Sequence, residues 1–326
     1  MNLRTRIGIL VFALTTPLLF HLPAAAAEFQ GPFTVGNQFP LFLHVDQPGF
    51  ESAKTGNSIA VSLTHSSVFM MKDSAVWSVH LDTELTELSL RYRTMIPGGF
   101  EAGIETSFIR PTEGFLDSPL AWYHRTFGFG DYGRSTRPDN TYLFDVRMNG
   151  VQVVRTERDK AGIGDTRLSL RKEVVSGKSV VTVRADVELP TGDAKQGYGN
   201  GSVDAGIALI AEAPLSADAK WYATIGGVLP GDVKGYVTVD LKPYAYAATA
   251  IEYRAFESVS LIGQVSATTS PYPTTDISVI DTPALILLLG GRYYGTTGNY
   301  DLSLTEDLNV SGAPDFALDL TYKKNW

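Results

Sequence analysis

Phe316-Ala317-Leu318-Asp319-Leu320-Thr321-Tyr322-Lys323-Lys324-Asn325-Trp326 ends the chain and decides how the rest is read. Phe316, Leu318, Leu320, Tyr322 and Trp326 share one parity, and Ala317, Asp319, Thr321 and Lys323 share the other. Successive side chains of an extended chain point to opposite faces, so the segment is a strand with one apolar and one polar face. The same alternation recurs upstream. Leu88, Leu90, Tyr92 and Ile96 oppose Glu87, Ser89, Arg91 and Arg93; Phe100, Ala102, Ile104 and Phe108 oppose Glu101, Glu105 and Ser107. Leu168, Leu170 and Val174 oppose Arg167, Arg171 and Glu173, and Val181, Val183, Ala185, Val187 and Leu189 oppose Thr182, Arg184, Asp186 and Glu188.

Turn chemistry divides these strands into hairpins. Pro97-Gly98, Met148-Asn149-Gly150, Ser176-Gly177-Lys178, Ser216-Ala217-Asp218, Phe256-Glu257-Ser258 and Thr296-Thr297-Gly298 are short connections, and longer polar loops rich in Gly and Pro lie between them. Short turns at one end and long loops at the other fit an antiparallel up-and-down barrel with its short turns in the periplasm. Six short turns separate seven hairpins, which predicts about fourteen strands, or twelve if the weakest segment, 151–156, is loop. The terminal strand should return to the short-turn side and pair with the strand at 58–69, closing the barrel.

The N-terminus reads as a secretory signal. Arg4 and Arg6 precede an apolar stretch from Ile7 to Phe20, and Ala24 to Ala27 form a small-residue site, placing cleavage after Ala26 or Ala27. The apolar stretch falls short of the roughly 20 residues a spanning helix needs. Beyond it the longest apolar run is Ala284 to Leu289, so any membrane span must be made by strands in a closed barrel, where every backbone donor finds an acceptor. The chain has no cysteine, which excludes disulfides, thiolate metal sites and lipid attachment through a thiol. A net charge of −8 with no basic stripe excludes nucleic acid as a partner. Three divisions follow: a signal peptide at 1–27, an irregular segment at 28–56 interrupted by Pro32, Pro40 and Pro48, and the barrel at 57–326. Phe29, Phe33, Phe39, Leu41, Phe42 and Leu43 of the irregular segment need cover, which favours a plug folded into the barrel over a periplasmic lead.

The terminal aromatic after an alternating strand resembles the last strand of bacterial outer-membrane barrels. That resemblance implies the barrel-assembly machinery as a partner, outer-membrane lipids around the wall, and Trp221 and Trp326 in an interfacial aromatic girdle. Parity alone does not separate a membrane barrel, apolar outward, from a soluble sandwich, apolar inward. The signal, the turn asymmetry and the terminal aromatic favour apolar outward. The lumen then carries Arg91, Arg93, Glu101, Glu105, Arg171, Arg184 and Asp186 as candidate lining residues, either paired across the wall or selecting a solute.

Residues 111–139 form the longest connection. Asp117-Ser118-Pro119 offers an N-cap and a first-turn proline; Leu120, Tyr123 and Phe127 recur at helical spacing, and Gly128 stops the run. A short helix bearing Trp122, Tyr123, His124 and Arg125 near the extracellular mouth is expected, either constricting the lumen or packed on the rim. Asp117, His124 and Arg134 are its candidate functional residues. Gly114-Phe115-Leu116-Asp117-Ser118, Tyr123-His124, Phe127-Gly128 and Gly133-Arg134 resemble a domain-of-unknown-function family, number 3187, of Gram-negative outer-membrane proteins. Gly31-Pro32-Phe33, Asn37-Gln38, Gly162-Ile163-Gly164-Asp165, Ser270-Pro271-Tyr272, Glu306-Asp307-Leu308 and Pro314-Asp315-Phe316 extend the resemblance along the chain. Gly164-Asp165 and Pro190-Thr191-Gly192-Asp193 are also similar, more weakly, to barrels encoded with phenol-degradation pathways. Both imply an outer-membrane barrel and bring no catalytic residues.

No catalytic constellation, metal site or cofactor motif is expected. His65 and Ser67 lie two apart on one strand face and resemble a pair in an outer-membrane phospholipase, yet such a serine needs a histidine that is itself oriented by a third group. His21, His44, His65, His80 and His124 form no H-E-x-x-H pattern, and Gly128-Phe129-Gly130 is a turn. The expected function is passive or gated passage of an unidentified small molecule, including hydrophobic ones. Fourteen strands with an N-terminal plug resemble the long-chain fatty-acid and toluene-type transporters. The rival is a closed structural or binding barrel, and a remote third is a lipid hydrolase.

Overall fold

In the computed structural model the described residues are 28–34, 36, 49–128, 130, 133–309 and 313–326. The expected signal peptide, Phe39, Leu41 to Leu43, His44 and Asn37-Gln38 lie outside them. Twelve antiparallel strands close into one barrel: β1 (Ser58–Asp73), β2 (Trp77–Ile96), β3 (Phe100–Thr112), β4 (Thr166–Val175), β5 (Val180–Leu189) and β6 (Asp204–Pro214). The second half is β7 (Ala219–Leu229), β8 (Tyr244–Phe256), β9 (Val259–Thr268), β10 (Ala284–Tyr294), β11 (Asn299–Asp307) and β12 (Phe316–Asn325). Each pairs with its sequence neighbour, and β12 pairs with β1 from Ser58↔Asn325 to Ser67↔Phe316, as its alternation required.

The count corrects the larger expectation of fourteen. Residues Leu143–Met148 and Val151–Val154 do form a hairpin, but it pairs with the upper end of β2, Trp77↔Met148 to Asp82↔Leu143, and does not span. Its Asn149-Gly150 turn, with positive φ at both residues, therefore sits at the long-loop end, where the Asn149 N–H donates to Val76 O at 2.7 Å. The turn chemistry was read correctly and its side of the membrane was not. The remaining short turns all lie at the opposite end, the periplasmic side of an outer-membrane barrel.

The apolar parity faces outward. Ile59, Leu63, Leu88, Leu90, Tyr92, Ile104, Leu168, Leu170, Val187, Leu302 and Leu320 are exposed, while Ser62, Thr64, Glu87, Arg91, Glu101, Arg171, Arg184 and Asp319 between them are buried. Backbone pairing within a closed ring and an apolar outer belt are the two conditions lipid imposes. At the periplasmic edge the rings of Tyr300 and Tyr322 are 5.2 Å apart and those of Tyr92 and Trp326 are 6.2 Å apart, forming part of an aromatic girdle.

Above the belt β1 and β2 continue past the region where alternation is legible. Val68-Phe69-Met70 is buried on both parities: Val68 and Met70 face an inner apolar cluster, while Phe69 faces out beneath the Arg134 guanidinium, 5.4 Å from its ring centroid. A strand covered on both sides loses its period-two signature, which is why the sequence marks β1 only up to this point.

Candidate functional site

The inward side chains of β2 to β5 form a chain of ion pairs. Arg91 and Glu105 make a two-pronged contact, Nε to Oε2 and Nη2 to Oε1, both 2.9 Å. Arg167 lies 3.5 Å from Glu105 and 3.7 Å from Glu188. Arg93 pairs with Glu101 at 3.7 Å, Arg171 with Glu101 at 2.7 Å, and Arg184 with Asp186 at 2.9 Å. All seven predicted lumen residues are thus brought onto one side of one interior. The sequence places them by parity; it does not pair them, because partners sit on neighbouring strands whose register a single chain does not announce.

The N-terminal segment supplies what parity missed. Its Glu51, 3 % exposed, pairs with Arg93, with Arg184 at 2.7 Å and with Arg171 at 3.5 Å. The flanking backbone is also held by wall side chains. Arg171 donates to Ser52 O and Thr182 to Ala53 O. Glu212 accepts from the Ala53 N–H at 2.9 Å, Glu173 from Thr55 N–H at 2.8 Å and Glu101 from Gly56 N–H at 2.8 Å. Farther back, Arg292 donates to Gly31 O at 2.6 Å, and Phe33 packs against Ile262, Ile286 and Leu288 on the inner wall. Arg292 itself bridges Asp301, at 2.7 Å on both nitrogens, and Glu252 at 3.1 Å. Arg292 is the one charge in an otherwise apolar strand and shares parity with Ile286 and Leu288, a signal that it faces inward.

Two ends complete the interior. Toward the periplasm a cavity of about 360 Å³ is lined by Glu28, Lys54, Arg93, Glu101, Arg171 and Lys323 among others. Toward the long loops the inner face is apolar: Val68, Met70, Trp77, Val79 and Leu81 of the β1–β2 tip meet Val146, Val153, Val233, Tyr272, Ile277 and Ile280 in one cluster. Beside it, the Gly164-Asp165 and Gly192 residues of the expected motif do meet. Asp165 accepts from the Gly192 N–H at 2.7 Å and the Asn200 N–H at 3.2 Å, and burial pushes its carboxyl up to about 6 against those bonds.

The long connection runs not across the lumen but down the outer wall. Helix α1 (Asp117–Phe127) ends at Gly128, φ 77°, as its spacing predicted. Leu120 and His124 are buried toward the barrel while Ser118, Pro119, Trp122 and Arg125 are exposed, so α1 lies on the rim. Tyr123 bonds to Glu306 and sits 6.3 Å from the Phe316 ring, both outward-facing groups. Asp117 does not cap the helix. One oxygen accepts from Arg134 at 3.0 Å and the other from the Asn140 N–H at 2.6 Å. Arg134 also pairs with Asp315 and donates to Ser67 at 2.9 Å. Burial lifts the carboxyls of Asp117 and Asp315 above their ordinary range while Arg134 between them pulls the other way. Arg134→Ala leaves two carboxylates without their cation, and the 113–142 connection is expected to come off the wall. Protease nicking there on intact cells rises sharply, whereas Arg134→Lys retains most of the protection.

The same contacts bear on His65 and Ser67. His65 Nδ1 is 2.9 Å from the Thr86 hydroxyl and Nε2 is 2.7 Å from Glu84, while Ser67 is buried and held by Arg134. Glu84 orients the imidazole, but the ring presents neither nitrogen to Ser67. Gly114, φ 74°, lets the connection lie directly on Glu84, whose other oxygen accepts from the N–H groups of Phe115 at 2.9 Å and Leu116 at 2.6 Å. The Phe115 ring stacks on His65 at 5.1 Å. These residues fasten a loop. Among the described residues no group of three or more His, Asp or Glu is placed to hold a metal ion.

The architecture is similar to that of the COG4313 outer membrane channel from Pseudomonas putida F1, with a TM-score of 0.55 at 14 % identity over 87 % of this chain and 100 % of that one. Lower similarity extends to the NanC porin, TM-score 0.45 at 7 % identity over 83 % and 99 %, and to the P. putida toluene transporter TodX, 0.41 at 10 % over 83 % and 89 %. With twelve strands, the strand-count resemblance to fourteen-stranded transporters falls away. No curated protein matches the sequence. A closed twelve-strand wall, apolar outside and ionic inside, is an outer-membrane channel fold, and the profile that matches residues 9–326 makes the chain a member of the family described as protein of unknown function (DUF3187).

Proposed function

We propose that this barrel passes small molecules across the outer membrane and that residues 28–56 are the movable plug of its lumen, exported behind a cleaved signal at 1–27. One observation carries the reading. The described parts of 28–56 are attached to the interior by side chains and short hydrogen bonds and contribute no strand to the ring, so they can leave without unpairing a single ladder. Twelve strands spaced about 4.8 Å apart and tilted about 40° form a backbone cylinder of about 12 Å radius, wide enough for a solute once its contents move.

The path runs past Arg91, Arg93, Glu101, Glu105, Arg171, Arg184 and Asp186, and assembly is read from β12 and Trp326. Asp117 and Arg134 fasten the rim and His124 is buried on α1, so the proposed route does not run past them. The apolar cluster at the long-loop end favours, as a second reading, solutes that are hydrophobic at the point of entry. The test is solute flux into liposomes bearing the full chain or the chain without 28–56. Flux through the second, and less through the first, supports a plugged channel. Liposomes as tight as protein-free ones in both cases would leave only a closed structural barrel.

A further inference from the structure

Among the described residues of the N-terminal segment, Glu51 is the acid that enters the arginine network, and its setting is that of a bound ligand. Three guanidiniums from three strands, Arg93 of β2, Arg171 of β4 and Arg184 of β5, converge on one carboxylate that belongs to none of those strands. The wall around it contributes five arginines against four carboxylates in the ion pairs described above, so Glu51 supplies the fifth negative charge. Remove it, and the cage holds an uncompensated cation in a low-dielectric interior, which is unfavourable unless another anion enters. The cage is also reachable. Arg93 and Arg171 line the inner end of the 360 Å³ periplasmic cavity, whose wall adds Lys54 and Lys323. Planar, forked guanidiniums suit a carboxylate better than a spherical ion.

We propose that Arg93, Arg171 and Arg184 form a binding site for small carboxylate solutes, and that Glu51 occupies it as an internal stand-in that such a solute displaces. The inference rests on the channel reading above and names its substrate class. Displacement exchanges one carboxylate for another, so the wall keeps its charge balance while the plug loses its central attachment. A neutral isostere offers no such exchange.

The binding test uses the full chain in detergent, with acetate as probe and acetamide as its neutral counterpart. In Glu51→Ala the site is vacant, and acetate is expected to raise the unfolding temperature by several degrees in a saturable way, acetamide not at all, and the wild type to respond weakly to either. Equal responses to acetate and acetamide, or no response from a folded Glu51→Ala protein, overturn the proposal. If the alanine variant does not fold, Glu51→Gln in planar bilayers takes its place. A several-fold gain in chloride over potassium permeability, reversed by added acetate, supports the site; an unselective or cation-selective current refutes it. The two readings separate cleanly: flux of neutral solutes through the chain lacking 28–56 without any acetate effect retains the channel and discards the carboxylate site.

Discussion

Deleting residues 28–56 behind an intact signal converts the protein from a barrel that passes current only in brief openings into one with steady single-channel steps. The expectation follows from what the segment touches. Its described residues fill the space between Arg292 on one side and the Arg93, Arg171 and Arg184 cage on the other, and Phe33 and Phe50 are buried within the barrel. A backbone cylinder of about 12 Å radius leaves an aqueous path when that material is withdrawn, after allowing for wall side chains. The ring itself survives, because the ladders that build it, the β1–β12 closure included, pair wall strand with wall strand and take no residue of 28–56. Water that enters also re-solvates the arginines that Glu51 leaves behind, so the stability lost is smaller than for removal of a buried charge in a dry interior. Conductance equal to that of the intact chain would mean that 28–56 does not obstruct the path.

Arg171→Ala carries the largest expected loss of stability. The guanidinium is 1 % exposed, pairs with Glu101 at 2.7 Å and Glu51 at 3.5 Å, and bonds to Ser52 O. Its removal leaves buried Glu101 with Arg93 alone and takes one of three guanidiniums from buried Glu51, and breaking a buried pair in this way costs about 3–5 kcal/mol. Arg171→Lys keeps the charge but loses the fork, so it should fall between the two. Denaturant unfolding of vesicle-inserted protein measures the difference. A cost below about 1 kcal/mol, the level of an exposed ion pair, would contradict the enclosed network.

The wall was legible in the sequence because lipid on one side and a polar interior on the other force a strict period of two. Leu168 and Leu170 against Arg167 and Arg171 is a pattern that few other environments produce. Four things were not legible, each for a physical reason. Above the lipid, β1 is covered on both faces by the inner cluster and by Arg134, so its alternation fades at Val68-Phe69-Met70. The hairpin at 143–154 has good strand and turn chemistry but is too short to span, and local chemistry does not report height. Glu51 lies in a segment with no period at all. Its role comes from three arginines that are 42, 120 and 133 residues away in sequence, separations no local pattern encodes. The helix of the long connection was found by its caps and spacing, yet whether it turned inward or outward depended on Glu84, Glu306 and Asp315, which hold the connection to the outer wall.

A reversible lock tests the proposed plug most directly. The chain has no cysteine of its own, so a single pair introduced at Ala53 and Thr182, where the threonine hydroxyl donates to the Ala53 carbonyl, forms an unambiguous disulfide between the N-terminal segment and the wall. Solute flux into liposomes is then followed before and after reduction. The account predicts a barrel that is tight when oxidised and regains wild-type flux when reduced, while each single cysteine variant is indifferent to the reductant. Flux that is the same with the disulfide formed and broken would contradict it.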